Sequence, residues 1–223
     1  MKVIKANTFN GKKLVKDIDT DIMYCKKTLA EPWIDYQKQE LYWNSQEYNV
    51  KSMAHSPAFS YQDIKLTAKF LLAYKKLIKG GEIIDVCSGC SRLGKKFSKL
   101  YNKISVLDLN PSFGKIPSYK QGELIKANFK DIGFHIEPDR YHFMLLNWSF
   151  CYINYDDMKR VLPYLHRSLK SNGYMMLKEP ILERNERTAR LYPTGQYLMT
   201  RRKKELMYLI QKYFFVMKEQ IIR

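Results

Sequence analysis

Acidic residues are scarce in this chain of 223 residues: 22 Asp and Glu stand against 39 Lys and Arg, for a net charge of +17. That imbalance disfavours a cationic partner and favours an anionic one: nucleic acid such as RNA, an acidic protein surface or an anionic membrane face. The lysines are spread along the whole chain rather than gathered in one block, so an evenly solvated surface accounts for them as well. Long apolar runs are also missing. No segment approaches the roughly 18 residues that a membrane span needs, so no transmembrane segment is expected. Met1 to Lys16 lacks the apolar stretch of a secretory signal and is poor in Arg and Ser for an organellar presequence. Cysteine is confined to Cys25, Cys87, Cys90 and Cys151 at uneven spacing. This argues against a secreted disulfide scaffold and for an intracellular, reducing compartment, the cytoplasm or the mitochondrial matrix. The histidines (His55, His135, His142, His166) have no i, i+4 spacing, and no metal site is expected. Internal repeats and domain linkers are absent, leaving one α/β domain with a modest extension.

What the chain does have is an alternation of short apolar runs and amphipathic helices. Residues 1–30 are polar, lysine-rich and weakly periodic, and read as a basic N-terminal extension. A helix is expected over 31–43, and a second one capped by Ser60 and stopped by Gly80-Gly81. Strands follow at 82–86, 104–109, 124–127, 141–148 and 174–178, with helices at 91–101 and 156–169, the latter closed by Asn172-Gly173. Phe143 to Leu146 is apolar on both faces, as buried parallel strands are. Thr200 is expected to cap a last helix reaching Phe214, followed by a final strand over 215–221. Such an alternation describes a doubly wound sheet with a ligand site beyond the strands' C-terminal ends.

The most informative stretch is Glu82 to Arg92. A strand runs to Asp85, then comes a small-residue turn containing Cys87, Ser88, Gly89 and Cys90, then a helix opening near Arg92. A second strand ends in a carboxylate, Asp108. Strand, turn, helix, strand and acid is how α/β folds present a nucleoside cofactor, because the turn brings backbone close to the ligand and the acid accepts from ribose hydroxyls. Cys87-x-x-Cys90 is also where redox folds carry a reactive pair, but those folds need a facing proline loop, and Pro111, Pro117 and Pro138 are not placed to supply it.

In this order of elements the chain resembles the S-adenosylmethionine-dependent methyltransferases, a Rossmann-like class I sandwich. More narrowly it is similar to the α-N-terminal protein methyltransferases, which act on Xaa-Pro-Lys amino termini. The likeness runs from about Tyr42 to the end and so makes 31–223 a methyltransferase-like domain. It rests on Tyr42-Trp43, the Asp85 turn ending in Arg92, Val106 to Leu109, Leu146-Asn147-Trp148, and Asn172-Gly173 leading into Leu177-Lys178-Glu179. It implies S-adenosyl-L-methionine as cofactor if the protein is active. Asp85, Cys87 and Gly89 would form the cofactor turn, Arg92 would meet the cofactor carboxylate, Asp108 the ribose, and Asn147 the methionine moiety. Tyr42, Trp43 and Trp148 would line the acceptor channel.

The same resemblance exposes departures. Cys87 and Ser91 stand where the family has glycines. Tyr152 replaces the family's histidine, and an ordinary tyrosine titrates near ~10, too high for a base at neutral pH. Glu179-Pro180 replaces Asp-Asn, and a basic segment replaces paired aspartates further on. The family's last edge strand has no counterpart. The expected function is a catalytically degenerate methyltransferase-like subunit, with no cofactor necessarily bound, serving protein partners in a larger assembly. If it is active, Tyr152 and Glu179 are the candidate catalytic residues and the acceptor is altered. An RNA-binding module is a further alternative.

Overall fold

A computed structural model describes residues 3–9, 12–17, 22–25, 34–46, 57–182, 188–191 and 196–218. The dipeptide Asn10-Gly11 is a hairpin signal, and it lies between antiparallel strands β1 (Val3–Phe9) and β2 (Lys12–Asp17), paired with Phe9 opposite Lys12. Strand β3 (Ile22–Cys25) pairs in turn with β2. Within the basic, weakly periodic extension expected over 1–30, the described residues thus form three strands, whose frequent lysines blur the period-two pattern.

Helix α1 (Tyr36–Ser45) starts where the Asp35 side chain accepts the Lys38 amide at 3.0 Å. Helix α2 (Pro57–Ala73) opens on a proline, whose missing N–H costs nothing at a first helical position, so the start precedes Ser60. A short α3 (Lys75–Ile78) follows, and Gly80 at φ +86° closes it. Strand β4 (Glu82–Val86) leads to α4, which covers only Gly94–Phe97 instead of the expected 91–101. Ser91 sits at φ +48°, outside helical geometry, and holds the start back.

Then come β5 (Lys103–Asp108), β6 (Gln121–Lys126), β7 (Tyr141–Asn147), α5 (Tyr155–Ser168) and β8 (Leu169–Lys178). Helix α5 has the Asn154 side chain capping the Asp157 amide at 2.8 Å, acids in its first turn, and His166 and Arg167 in its last. This distribution suits the helix macrodipole. Asn172-Gly173 lies inside β8, at an irregularity in its pairing with β7, and does not end the helix. A Cβ on Gly173 would stand 2.9 Å from the Lys170 carbonyl oxygen, so the kinked strand excludes a side chain there.

The five central strands form one parallel sheet in the order β6-β5-β4-β7-β8. One apolar cluster (Leu71, Ile78, Phe97, Tyr101, Ile116) joins α2, α3, α4 and the 111–120 loop to one face. The other (Met158, Val161, Leu165, Leu206, Leu209) joins α5 and the last helix to the opposite face. After β8 come β9 (Ile181–Leu182), β10 (Thr188–Leu191) and β11 (Tyr197–Arg202), which belong with β1–β3 to a second sheet, then α6 (Lys203–Ile210). The expected cap at Thr200 is therefore inside a strand. The strand expected over 215–221 is not formed in its described part, 215–218, where Phe215 is 92% exposed; the remainder lies outside the described residues. The far edge of β8 has no strand partner among the described residues. No helix among them is long and apolar enough to cross a membrane.

Candidate functional site

In the central sheet the chain runs outward in one direction from β4 to β6 and in the other from β7 to β8. The order reverses between β4 and β7, and a crevice opens there beyond the strand ends, as open α/β sheets provide. It is lined by Cys87, Ser88, Gly89 and Arg92 after β4, Asp108 after β5, Asn128 and Phe129 after β6, and Asn147, Trp148 and Tyr152 after β7. Gln39 and Trp43 of α1 close it from above.

The turn after β4 has an unusual backbone. Cys87 (φ +55°), Gly89 (φ +53°) and Ser91 (φ +48°) all adopt left-handed geometry, which costs an L-residue with a Cβ roughly 1–2 kcal/mol. Hydrogen bonds hold the turn there. The Cys87 amide donates to the Leu107 carbonyl (2.8 Å), the Gly89 amide to Asp108 Oδ2 (3.0 Å), and the Ser91 hydroxyl to the Ser112 carbonyl. Cys87→Gly is expected to leave the melting temperature unchanged or raise it, relief of the left-handed Cβ offsetting the added chain freedom. Cys87→Val should lose about 2 kcal/mol or more, since a branched side chain fits that φ worst; thermal melts of the two variants decide, and equal melts count against the strain.

Asp108 accepts from Gly89 through one oxygen and from the Asn110 amide (3.2 Å) through the other. A carboxylate offers about four lone-pair sites, and Asp108 stands on the crevice lining. Buried Asn147 Oδ1 and Ser88 Oγ, both on the crevice lining, have no hydrogen-bond partner among the described residues. Buried polar atoms are seldom left so, and Asn147 Oδ1 can accept from an ammonium group. Arg92 Nη1 lies 4.0 Å from Asp63 Oδ2. The other oxygen of that buried carboxylate takes the Lys178 ammonium, which also donates to Thr67 Oγ1 at 3.0 Å. Two cations thus flank one carboxylate beside the crevice. An acid on the apolar stripe of α2, one turn before Thr67, is the sequence signal that could have picked out Asp63.

Asp85 is buried under the turn, 3% exposed. Desolvation, then the Asp108 charge, pushes its carboxyl up to about 7, with Arg92 pulling the other way. An unfolded aspartate loses its proton near about 3.9. Between about 4 and 7, therefore, the folded chain binds the extra proton, and stability falls as pH rises through that window. Asp85→Asn should flatten this fall, matching the wild type near pH ~4 and exceeding it near pH ~8 in urea midpoints. Identical pH profiles would rule the assignment out.

Glu179, at the end of β8, faces the segment after β7. Its carboxylate accepts the amides of Ser149 (2.7 Å), Phe150 (2.7 Å) and Cys151 (3.0 Å), while the Trp148 amide donates to the Lys178 carbonyl at 2.8 Å. Desolvation raises Glu179 to about 7 even against these three bonds and the Arg201 charge. Arg201, 3% exposed, donates to the carbonyls of Phe150 (2.6 Å) and Ile153 (2.5 Å). The basic run Arg201 to Lys204 therefore has its first member inside the protein, and its second, Arg202, pairs with Glu205. Both Glu179 and Arg201 serve the turn that presents Trp148, at φ +61°, and Tyr152 to the crevice. Desolvation pushes the Tyr152 hydroxyl well above its ordinary range.

Of the aromatics, Trp43 and Trp148 line the crevice, and Trp43 meets Tyr152 edge-on with centroids 5.4 Å apart. Tyr42 sits behind, edge-on to Trp43 at 5.1 Å. Helix α1 is fastened by the Tyr36 hydroxyl donating to Asp157 and by Gln39 Nε2 donating to the Tyr152 carbonyl (3.2 Å); buried Gln39 carries no sequence signal. Desolvation also raises the Cys87 thiol well above normal, against the lowering that a redox pair at a helix start needs. Among the described residues, no three His, Cys, Asp or Glu come together as a metal ligand set.

No protein-family profile matches the chain, and no curated protein sequence does. Solved structures do match. An S-adenosylmethionine-dependent methyltransferase from Leishmania major superposes with a TM-score of 0.66 at 19% identity, over 80% of this chain and 72% of that one. A Burkholderia thailandensis 1,6-didemethyltoxoflavin-N1-methyltransferase, with bound 1,6-didemethyltoxoflavin and S-adenosylhomocysteine, gives 0.58 at 11% identity over 88% and 86%. DhpI in complex with S-adenosylhomocysteine gives 0.57 at 12% over 79% and 86%. Identities this low speak for the architecture alone: the chain has the Rossmann-like α/β fold of S-adenosylmethionine-dependent methyltransferases.

Proposed function

We propose that this protein is a methyltransferase-like subunit that keeps a donor-binding crevice and has lost, or nearly lost, methyl transfer. Asp108, Arg92 and Asn147 would hold the ribose, carboxylate and ammonium of S-adenosylmethionine, and the turn from Asp85 to Gly89 would pass beneath it. The fit is supported by Asn147 Oδ1 and Ser88 Oγ, which have no hydrogen-bond partner among the described residues, and by the placing of Arg92 and Asp108 on the same crevice lining. When bound, the cofactor supplies an electrophilic sulfonium methyl.

The observation that carries the loss of transfer is the engagement of Glu179. The Glu179 carboxylate, the acceptor-side candidate among the described residues, is committed to three backbone amides, and Tyr152 is held protonated. Neither is available to take a proton from an N-terminal ammonium. On this reading the protein would act as an assembly subunit, with its basic surface and the edge of β8, which has no strand partner among the described residues, turned to partners. The test joins calorimetry with S-adenosylhomocysteine to transfer of labelled methyl onto an Xaa-Pro-Lys peptide. Micromolar binding without transfer is the expected pair of results; robust methylation of the peptide would overturn the reading.

A second reading has support in the same crevice. An acceptor that is already a neutral nucleophile needs only proximity and in-line geometry, and Trp43, Trp148 and Tyr152 could clamp a planar one. Transfer to such an acceptor, with the Xaa-Pro-Lys peptide inert, is its signature.

A further inference from the structure

The two faces of the central sheet are covered by helices of contrasting charge. On the α5 and α6 face, acids alternate with bases and pair with them: Lys130 with Asp131, Lys159 with Asp156, Arg160 with Asp157, Arg202 with Glu205. On the other face lie the segments 57–81, 91–103 and 109–120, whose apolar residues share one cluster. These segments hold twelve Lys and Arg against a single carboxylate, Asp63, which is buried and already paired with Lys178. Lys65, Lys69, Lys75, Lys76, Lys79 and Lys96 are exposed there, and none has a carboxylate partner among the described residues.

We propose that this face, built on α2, α3 and α4, is a docking surface for a single-stranded nucleic acid. Like charges crowded without counter-ions cost self-repulsion, which a polyanion relieves while releasing its own condensed counter-ions. The chemistry of the charges favours a phosphodiester over an acidic polypeptide. Arg92 is the sole arginine of these segments and is turned inward to Asp63, so the exposed cations are all lysines. An ammonium is a point charge suited to phosphates, and the planar fork that matches carboxylates is missing. Exposed tyrosines accompany the lysines on the same face: Tyr61 on α2 is 66% exposed and Tyr119, beside Lys120, is 76% exposed. Lysines that track a backbone, interleaved with aromatic platforms for bases, form the pattern of single-strand binding. Successive lysines such as Lys65 and Lys69 are about 6 Å apart along the helix. The row starts at the end of α2 nearest the crevice, where Asp63 meets Arg92.

The experiment is fluorescence anisotropy of the full chain with a labelled oligouridine of about 20 nucleotides, long enough for one to several single-strand sites. Salt is varied from about 50 to 200 mM. Two charge-matched variants are compared: Lys65→Glu/Lys69→Glu/Lys76→Glu on the proposed face, and Lys204→Glu/Lys212→Glu/Lys218→Glu on the opposite one. The first should weaken binding about 30-fold or more and make the salt slope shallower by about 0.7 per lysine, while the second stays within about threefold. Lys96→Glu/Lys99→Glu, on the neighbouring segment, repeats the test in case the triple variant misfolds. Equal losses in the two triple variants would show that only net charge matters and overturn the proposal. So would displacement of the RNA by poly-glutamate at matched charge, which would make the face a site for acidic protein. Neither result bears on S-adenosylhomocysteine binding, so this proposal and the donor-site reading fail separately.

Discussion

Glu179→Ala is expected to be the most damaging single substitution in the central domain, destabilising the fold by roughly 3–5 kcal/mol, the range seen when one partner of a buried charge network is removed. The residues whose amides it caps, Ser149, Phe150 and Cys151, are at most 1% exposed, so water cannot replace the lost carboxylate. Each orphaned amide costs about 1–3 kcal/mol. Arg201 would then be left in the interior without the nearby negative charge. For a chain of this size, that corresponds to a fall in melting temperature of about 10 °C. Glu179→Gln should fall between wild type and alanine: the amide oxygen can still accept from two backbone groups, but its NH2 meets a third donor. The ordering wild type, Gln, Ala in urea midpoints is the check. An alanine variant melting within about 2 °C of wild type would remove the structural role, and with it the main argument that this carboxylate is unavailable for chemistry.

Much of the fold is legible in the amino-acid sequence, and the reasons are local. Phe143 to Leu146 is a short run apolar on both faces, as buried parallel strands are, and Ile64, Thr67, Ala68 and Leu71 repeat at helical spacing, so the parallel core and α2 follow from the apolar pattern. Failures occur where a single residue outranks periodicity. Ser91 takes a left-handed backbone to reach the Ser112 carbonyl and shortens α4. Pro57 starts α2 ahead of the better capping residue Ser60. Gly173 bends β8, although Asn172-Gly173 has the look of a helix stop.

The site divides in the same way. The positions of Asp108, Arg92 and Asn147 on the crevice are legible because each ends or follows a strand at a fixed offset. Gln39 and Arg201 are not, because their roles depend on contacts across large sequence separations, such as Gln39 with Tyr152 or Arg201 with Phe150. Arg201 is the more instructive of these. Next to Arg202, Lys203 and Lys204 it looks like one charge among four on a helix start, but strand alternation through β11 turns it inward while its neighbours stay accessible.

Asp108→Ala is expected to lower affinity for S-adenosylhomocysteine about 100-fold, from the loss of hydrogen bonds between ribose hydroxyls and a charged acceptor at about 1.5–3 kcal/mol each. Asp108 is not idle in the free protein. It already holds the Gly89 and Asn110 amides, so alanine also loosens the turn, and part of the loss reflects a crevice that must be reordered on binding. Asp108→Asn separates the two contributions. The amide oxygen can keep one backbone bond, so the turn should hold while affinity drops about tenfold, one charge-assisted bond's worth. A second consequence is independent of any ligand. Because Asp108 is one of the charges raising Asp85, either substitution should move the Asp85 titration downward, and the loss of stability with rising pH should be complete at a lower pH than in wild type. Calorimetry reads the first effect and urea midpoints against pH the second. If affinity is unchanged while the pH profile moves, Asp108 shapes the turn without touching a nucleoside. If wild type itself binds no S-adenosylhomocysteine, the crevice is a relic in its donor half as well, and the oxygens of Asn147 and Ser88, without a partner among the described residues, serve some other ligand.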